Sequence, residues 1–147
     1  MRTIRSCIAG LLCLFLLTAI HIPVHGAELP ARVDLNGAEE YALARFCASE
    51  CEGEPFICRL AVAAVMLNRL EDPRFPDTVS GILTDAGYGA SPVSEEDLAS
   101  ARWAVRLAAM GVDPTGGSLY WAWAGTADAG ELTPRLTVGK RIFGVRE

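Results

Sequence analysis

The sequence predicts an α+β fold, with helices first and a small antiparallel sheet last. Two patterns carry this. Apolar residues recur at helical spacing through ALARFCAS and FICRLAVAAVMLNRL, and again at Leu98, Ala101, Val105 and Ala108. After Gly111 the period changes: SLYWAW and KRIFGV are short, rich in aromatic and β-branched residues, and bounded by glycine or proline. Helices segregated from strands in this way suit separate layers rather than alternating βαβ units.

The first element in order is a predicted export signal over residues 1–26. Arg2 and Arg5 form a basic n-region, CIAGLLCLFLLTAI is an apolar h-region, and Val24-His25-Gly26 suits a cut before Ala27. The apolar run is short for a membrane span, which needs roughly 20 residues, so no stable span is expected after cleavage. An uncleaved N-terminal anchor is the alternative. No lipobox precedes Cys7 or Cys13.

Loss of this segment changes the chemistry available. Both histidines, His21 and His25, leave with it. A chain without histidine has no Ser-His-Asp triad, Cys-His dyad or His-ligated zinc site, and no metal or other cofactor is expected. Three cysteines remain: Cys47, Cys51 and Cys58. Removing Arg2 and Arg5 leaves 11 basic residues against 18 acidic ones, a net charge of −7. That excludes nucleic acid as a partner, since its binders carry a basic surface.

A short lead-in over 27–37 precedes a single domain over 38–147. Asn36, with Glu39 three residues later, reads as an N-cap with its capping partner. The first helix is predicted from about Gly37 to about Cys51, broken by Gly53 and Pro55. The second, FICRLAVAAVMLNRL, is apolar nearly all round from Leu60 to Leu67, as a central buried helix would be. Asp72, Pro73, Pro76 and Asp77 form a turn, and Thr84 to Pro92 reads as a loop. Ser94 caps a third helix with acids through its first turn, and Gly111 ends it. Asp113-Pro114-Thr115-Gly116-Gly117 is a turn that sets the first strand.

One residue interrupts this pattern. Leu43, Phe46 and Cys47 share one helical face, and the next member of the series is Glu50. A carboxylate stands where the core-facing stripe should continue.

Five stretches, LARFCASECEGEP, AVAAVMLNRL, FPDTVSGIL, DPTGGSLYW and LTVGKRIF, fall in an order and spacing that resembles the cell wall hydrolases of the SleB/CwlJ type, which include the spore cortex-lytic enzymes. The resemblance runs from about Ala38 to Val145. It implies a lysozyme-like domain that cuts the glycan strands of peptidoglycan outside the cytoplasmic membrane, in cell wall or spore envelope, by lytic transglycosylation with a single essential glutamate. In the family that residue is the first Glu of a pattern like YGEARGEP. Here the matching string is Ala48-Ser49-Glu50-Cys51-Glu52-Gly53-Glu54-Pro55, so Glu50 falls on the catalytic position.

The implied chemistry accounts for the interruption. A general acid must hold its proton near neutral pH, and burial against apolar groups favours the protonated carboxyl. The hydrophobic-pocket glutamate of lysozyme works this way. One group suffices for the lytic route: it protonates the leaving glycosidic oxygen, then takes the proton of the muramic 6-hydroxyl as a 1,6-anhydro ring closes. Retaining and inverting glycosidases need two carboxylates at set separations. Glu54, before Pro55, reads as a helix-dipole residue and Glu52 as surface.

Tyr88, Tyr120, Trp121 and Trp123 are the candidate sugar-binding aromatics. Tyr120, Trp121 and Trp123 sit on a strand, where either core packing or stacking on sugar rings is open to each. Asn68 reads as a helix-end hydrogen-bonding residue. Against the family pattern, Ala48-Ser49 replaces an aromatic-glycine pair, and the stretch from Ile82 to Ser94 is shortened, with Tyr88 its sole aromatic. A catalytically inactive wall-binding relative is the alternative function, and an accessory partner is left open. Three cysteines cannot all pair internally; Cys58 could reach one of the other two, or all could be buried thiols.

Overall fold

The computed structural model describes residues 31–89 and 91–147, so the predicted signal over 1–26 lies outside the described residues. Three long helices are observed: α1 (Gly37–Glu50), α2 (Phe56–Glu71) and α4 (Glu95–Ala109), with the short α3 (Val79–Asp85) between the last two. Strand β1 (Tyr120–Trp123), the single-turn α5 (Ala127–Gly130), β2 (Thr133–Val138) and β3 (Arg141–Val145) follow. No helix among the described residues is long and apolar enough to cross a membrane.

The helix starts follow their caps. Asn36 accepts from the main-chain N–H groups of Ala38 and Glu39 while Glu39 accepts from the Asn36 N–H, a complete capping box. Ser94 accepts from the Asp97 N–H at α4. Helix α2 starts at Pro55 without a side-chain cap. It is the centre of the domain, with every residue from Cys58 to Arg69 buried, packed against α1 and α4. The predicted stripe of α4, Leu98, Ala101, Val105 and Ala108, is buried against it.

Two elements differ from expectation. Val79–Asp85 is helical because Thr78 caps it, its hydroxyl accepting from the Gly81 N–H, so the loop predicted from Thr84 begins at Ala86. The strand Thr133–Val138 is disguised by Pro134 and Arg135; proline is tolerated because β2 is an edge strand and a bulge lies between Pro134 and Leu136.

The sheet is antiparallel with order β1-β3-β2. Gly144 on the central strand is required by close approach: a Cβ there would lie 2.3 Å from the Thr133 carbonyl oxygen. Trp121 pairs with Phe143 and Trp123 with Arg141, while Leu136 and Val138 pair with the same two β3 residues. Alternation therefore directs all six side chains to one face, which joins the core through Phe143 and Val138.

Buried polar residues tie sheet to helices. Asn68 donates to the Ser118 carbonyl at 3.0 Å and to Asp113 at 3.1 Å, and accepts from Arg32 at 2.8 Å. Arg69 Nε donates to the Leu119 carbonyl at 2.8 Å. Asp113 in turn accepts from the N–H groups of Thr115 and Gly117, fixing the turn before β1. Burial pushes the Asp113 carboxyl up, but the bonds from Thr115 and Asn68 side chains and from these main-chain groups outweigh it and hold it below its ordinary value.

Candidate active site

Glu50 is the last residue of α1, and Cys51 caps the helix. The apolar stripe continues through Cys51, which is wholly buried, while Glu50 stands at its edge with a side chain 35% exposed. The expected enclosure of Glu50 in the core is thus not what the fold provides. One turn of α1 separates consecutive stripe members, and the chain leaves the helix at Glu50, so its carboxylate reaches out toward β3.

There it meets Arg141. The Arg141 guanidinium, only 3% exposed, donates through Nη1 to Glu50 Oε2 at 3.1 Å and through Nη2 to the Glu50 main-chain oxygen. The second bond satisfies one of the carbonyls left open at the end of α1, and a cation there is favoured by the helix dipole. Trp123, paired with Arg141 across the sheet, covers the guanidinium at 4.5 Å and is itself 48% exposed. A second buried arginine closes the other end of the turn: Arg59 donates to the Glu54 carbonyl at 3.2 Å and pairs with Asp97. The turn carrying Glu50, Glu52 and Glu54 therefore rests on two buried cations.

The remaining predicted residues fall into two groups. Tyr88 and Trp121 pack edge-on against Phe46, at 5.6 and 6.0 Å between ring centroids, and Phe46 lies one helical turn before Glu50. Tyr88, Trp121 and Trp123 are thus brought to the α1 side of the sheet. Tyr120 is not. It lies on the opposite face, half-buried, with Phe75 at 5.8 Å and Arg146, while Arg69 at the edge of the sheet reaches both Tyr120 and Trp121. Of the strand aromatics, Trp123 alone combines an open ring face with proximity to Glu50.

Glu52 is exposed, as expected. Glu54 directly precedes Pro55 at the start of α2, as expected, and its carboxylate also faces Gly139 in the two-residue β2–β3 connection, where a Cβ would come within 3.1 Å of Oε2. A cavity of about 150 Å³ adjoins the end of α1, lined by Ala48, Ser49, Glu52, Val93, Ser94 and Asp97. A larger one of about 350 Å³ lies beside Tyr88, with Glu39, Ala42, Val79 and Leu83 in its wall. Glu50 lines neither; its part-exposed carboxylate stands against Arg141, which Trp123 covers.

Sequence reasoning missed Arg141. The pair spans 91 positions, beyond any local spacing rule. A signal was nonetheless there: in KRIFGV, Arg141 alternates in phase with Phe143, which places a charge on the inward face of a strand and implies a buried partner.

A sequence profile described as Cell Wall Hydrolase matches residues 53–143, most of the domain. The chain belongs to this cell wall hydrolase family. It is 38% identical over 125 residues to a spore cortex-lytic enzyme of Halalkalibacterium halodurans, covering 79% of this chain and 37% of that protein. It is 34% identical over 127 residues to a spore cortex-lytic enzyme of Bacillus cereus, covering 80% of this chain and 48% of that protein. The chain thus spans less than half the length of these relatives. Among solved structures it is similar to the catalytic domain of the Bacillus cereus SleB protein, with TM-score 0.63 and 30% identity over 81% of this chain and 98% of that one. It is also similar to the catalytic domain of the germination-specific lytic transglycosylase SleB from Bacillus anthracis, with TM-score 0.62 and 30% identity over 75% of this chain and 96% of that one. The cell wall hydrolase domain is accordingly the lysozyme-like α+β fold of these catalytic domains. The profile match begins just beyond Glu50, so the role of that residue rests on its own surroundings.

Proposed function

We propose that this cell wall hydrolase cleaves peptidoglycan glycan strands as a lytic transglycosylase, leaving 1,6-anhydromuramic ends, with Glu50 as the single acid–base residue. The observation that carries this is the placement of Glu50: a half-exposed carboxylate at a helix end, fixed through both side chain and main chain by Arg141. The name of the Bacillus anthracis neighbour, a germination-specific lytic transglycosylase, supports the same reaction class.

In this reading a glycan strand lies across Trp123, whose exposed ring gives a sugar an apolar platform beside Glu50. The sugar then covers Glu50 and excludes water, supplying the enclosure that the free protein lacks. The Glu50 carboxyl gives its proton to the glycosidic oxygen as the C1–O bond of the muramic residue breaks. The carboxylate so formed takes the proton of the muramic 6-hydroxyl, and that oxygen closes on C1. Atoms balance without water or a carboxylate nucleophile.

Mass spectrometry of muropeptides after incubation of the protein with purified cortex and with vegetative sacculi tests this. Anhydromuramic ends are expected; reducing ends would replace the lytic step by hydrolysis. The reading also places the protein outside the cytoplasmic membrane. N-terminal sequencing of exported material should begin at about Ala27, and a start at Met1 would remove that part.

The second reading is a wall-binding relative that does not cut. The ion pair itself favours it, because Glu50 must leave Arg141 or share it before it can pass a proton. Wall binding without any cleavage of either substrate is its signature.

A further inference from the structure

The three cysteines take no part in the proposed chemistry, yet they crowd the turn that carries Glu50. All three are wholly buried. Cys51 caps α1, and Cys58 lies in the first turn of α2. The chain between them folds back on itself, with the Glu54 N–H donating to the Cys51 carbonyl at 3.1 Å and the Cys58 N–H to the Pro55 carbonyl at 2.9 Å. This places Cys51 and Cys58 on either side of one short hydrogen-bonded turn, with both free thiols sealed in the same core cluster.

We propose that Cys51 and Cys58 are a disulfide site, whose closure ties the residue after Glu50 to the first turn of α2. The proposal rests on the export included in the proposed function, since disulfides persist in oxidising compartments. Cys47 remains a thiol, one helical turn back on α1.

The step is thiol–disulfide exchange with a small-molecule disulfide such as oxidised glutathione. The Cys58 thiolate attacks one sulfur of the reagent and releases one molecule of thiol. Cys51 loses its proton to solvent and attacks the mixed disulfide at the Cys58 sulfur, releasing the second. The two cysteines give up two electrons and the reagent is reduced to two thiols. Cys47 is pushed up chiefly by burial. Because both partners are sealed once the core has packed, exchange takes place during folding or through local opening.

The test is refolding of the full chain in a glutathione redox buffer, followed by alkylation in denaturant and peptide mapping. Trypsin releases Phe46–Arg59, which contains all three cysteines and is separate from Cys7 and Cys13. Under oxidising conditions this peptide should carry one alkyl group, on Cys47, and be lighter by the two hydrogens lost from Cys51 and Cys58. Cleavage after Glu50 then separates Cys47 from the linked pair. Reduction should lower the melting temperature of the parent and of Cys47→Ala by on the order of 10 °C, and leave Cys51→Ala unaffected. Three alkyl groups on the peptide at every redox ratio, or a link that includes Cys47, overturns the proposal. If the variants fail to fold, the alkylation pattern of the parent decides alone. A crosslinked protein that cuts no wall leaves the disulfide standing and removes the proposed reaction.

Discussion

Arg141 holds Glu50 at two points, the carboxylate at 3.1 Å and the main-chain oxygen of the same residue. The end of α1 is therefore defined by a strand that lies 91 positions later. A guanidinium can do this because its donors are set in a rigid fork.

Glu50→Gln keeps the shape and removes the proton carrier. Turnover on sacculi or cortex should fall about 10²–10⁴-fold. Stability should fall only slightly, by about 1 kcal/mol, since the amide still accepts from Arg141 and the lost ion pair is partly exposed. Glu52→Gln and Glu54→Gln should retain most activity. A folded, inactive Glu54→Gln beside an active Glu50→Gln would show that the wrong carboxylate has been chosen.

Arg141→Lys keeps the charge and loses the fork. We expect kcat to fall about 10–100-fold with KM little changed, the mark of a positioning residue. Equal losses in a matched variant such as Arg59→Lys, which does not touch the Glu50 side chain, would point to general destabilisation instead.

The two aromatic groups should separate kinetically. Trp123→Ala is expected to raise KM on glycan strands about 3–10-fold, from the loss of an aromatic contact of about 0.5–1.5 kcal/mol. Tyr120→Ala should lower the melting temperature and leave KM close to the parent, because Tyr120 packs with Phe75 on the far face. The reverse pattern would move the glycan path to that face.

Activity should persist in chelator. The domain from Ala27 onward has no histidine, and the proposed step is a proton transfer. Loss of turnover in chelator, restored by one added metal, would count decisively against the mechanism.

Asp113 should set part of the acid sensitivity. Its carboxyl is held below its ordinary value in the folded protein. Its contribution is therefore fully present above the unfolded value of about 3.9 and is lost as pH falls through the lower folded value. Asp113→Ala should cost about 1–3 kcal/mol at neutral pH, by leaving the Thr115 and Gly117 N–H groups and one of the two Asn68 amide hydrogens without an acceptor. Its stability should also fall less steeply than the parent's below about pH 4. Parallel acid-melting curves for the two proteins would contradict this.

The three long helices are legible in the sequence, because their signals are local. Asn36 and Glu39 form a capping box three residues apart, Ser94 caps α4, and the unbroken apolar run from Leu60 to Leu67 fits only a central helix. The same locality located Glu50, as the carboxylate at which the Leu43/Phe46/Cys47 stripe is interrupted. Strand β2 escaped, since Pro134 and Arg135 read as loop until an edge position and a bulge accommodate them. What tertiary structure alone decided is the environment of each site residue. Whether Glu50 is enclosed or paired depends on where Arg141 arrives, and which of Tyr120 and Trp123 faces α1 depends on the pairing of β1 with β3. Strand alternation divides side chains into two sets, but only packing against the helices says which set faces inward. Long-range contacts of this kind have no spacing in the chain to read.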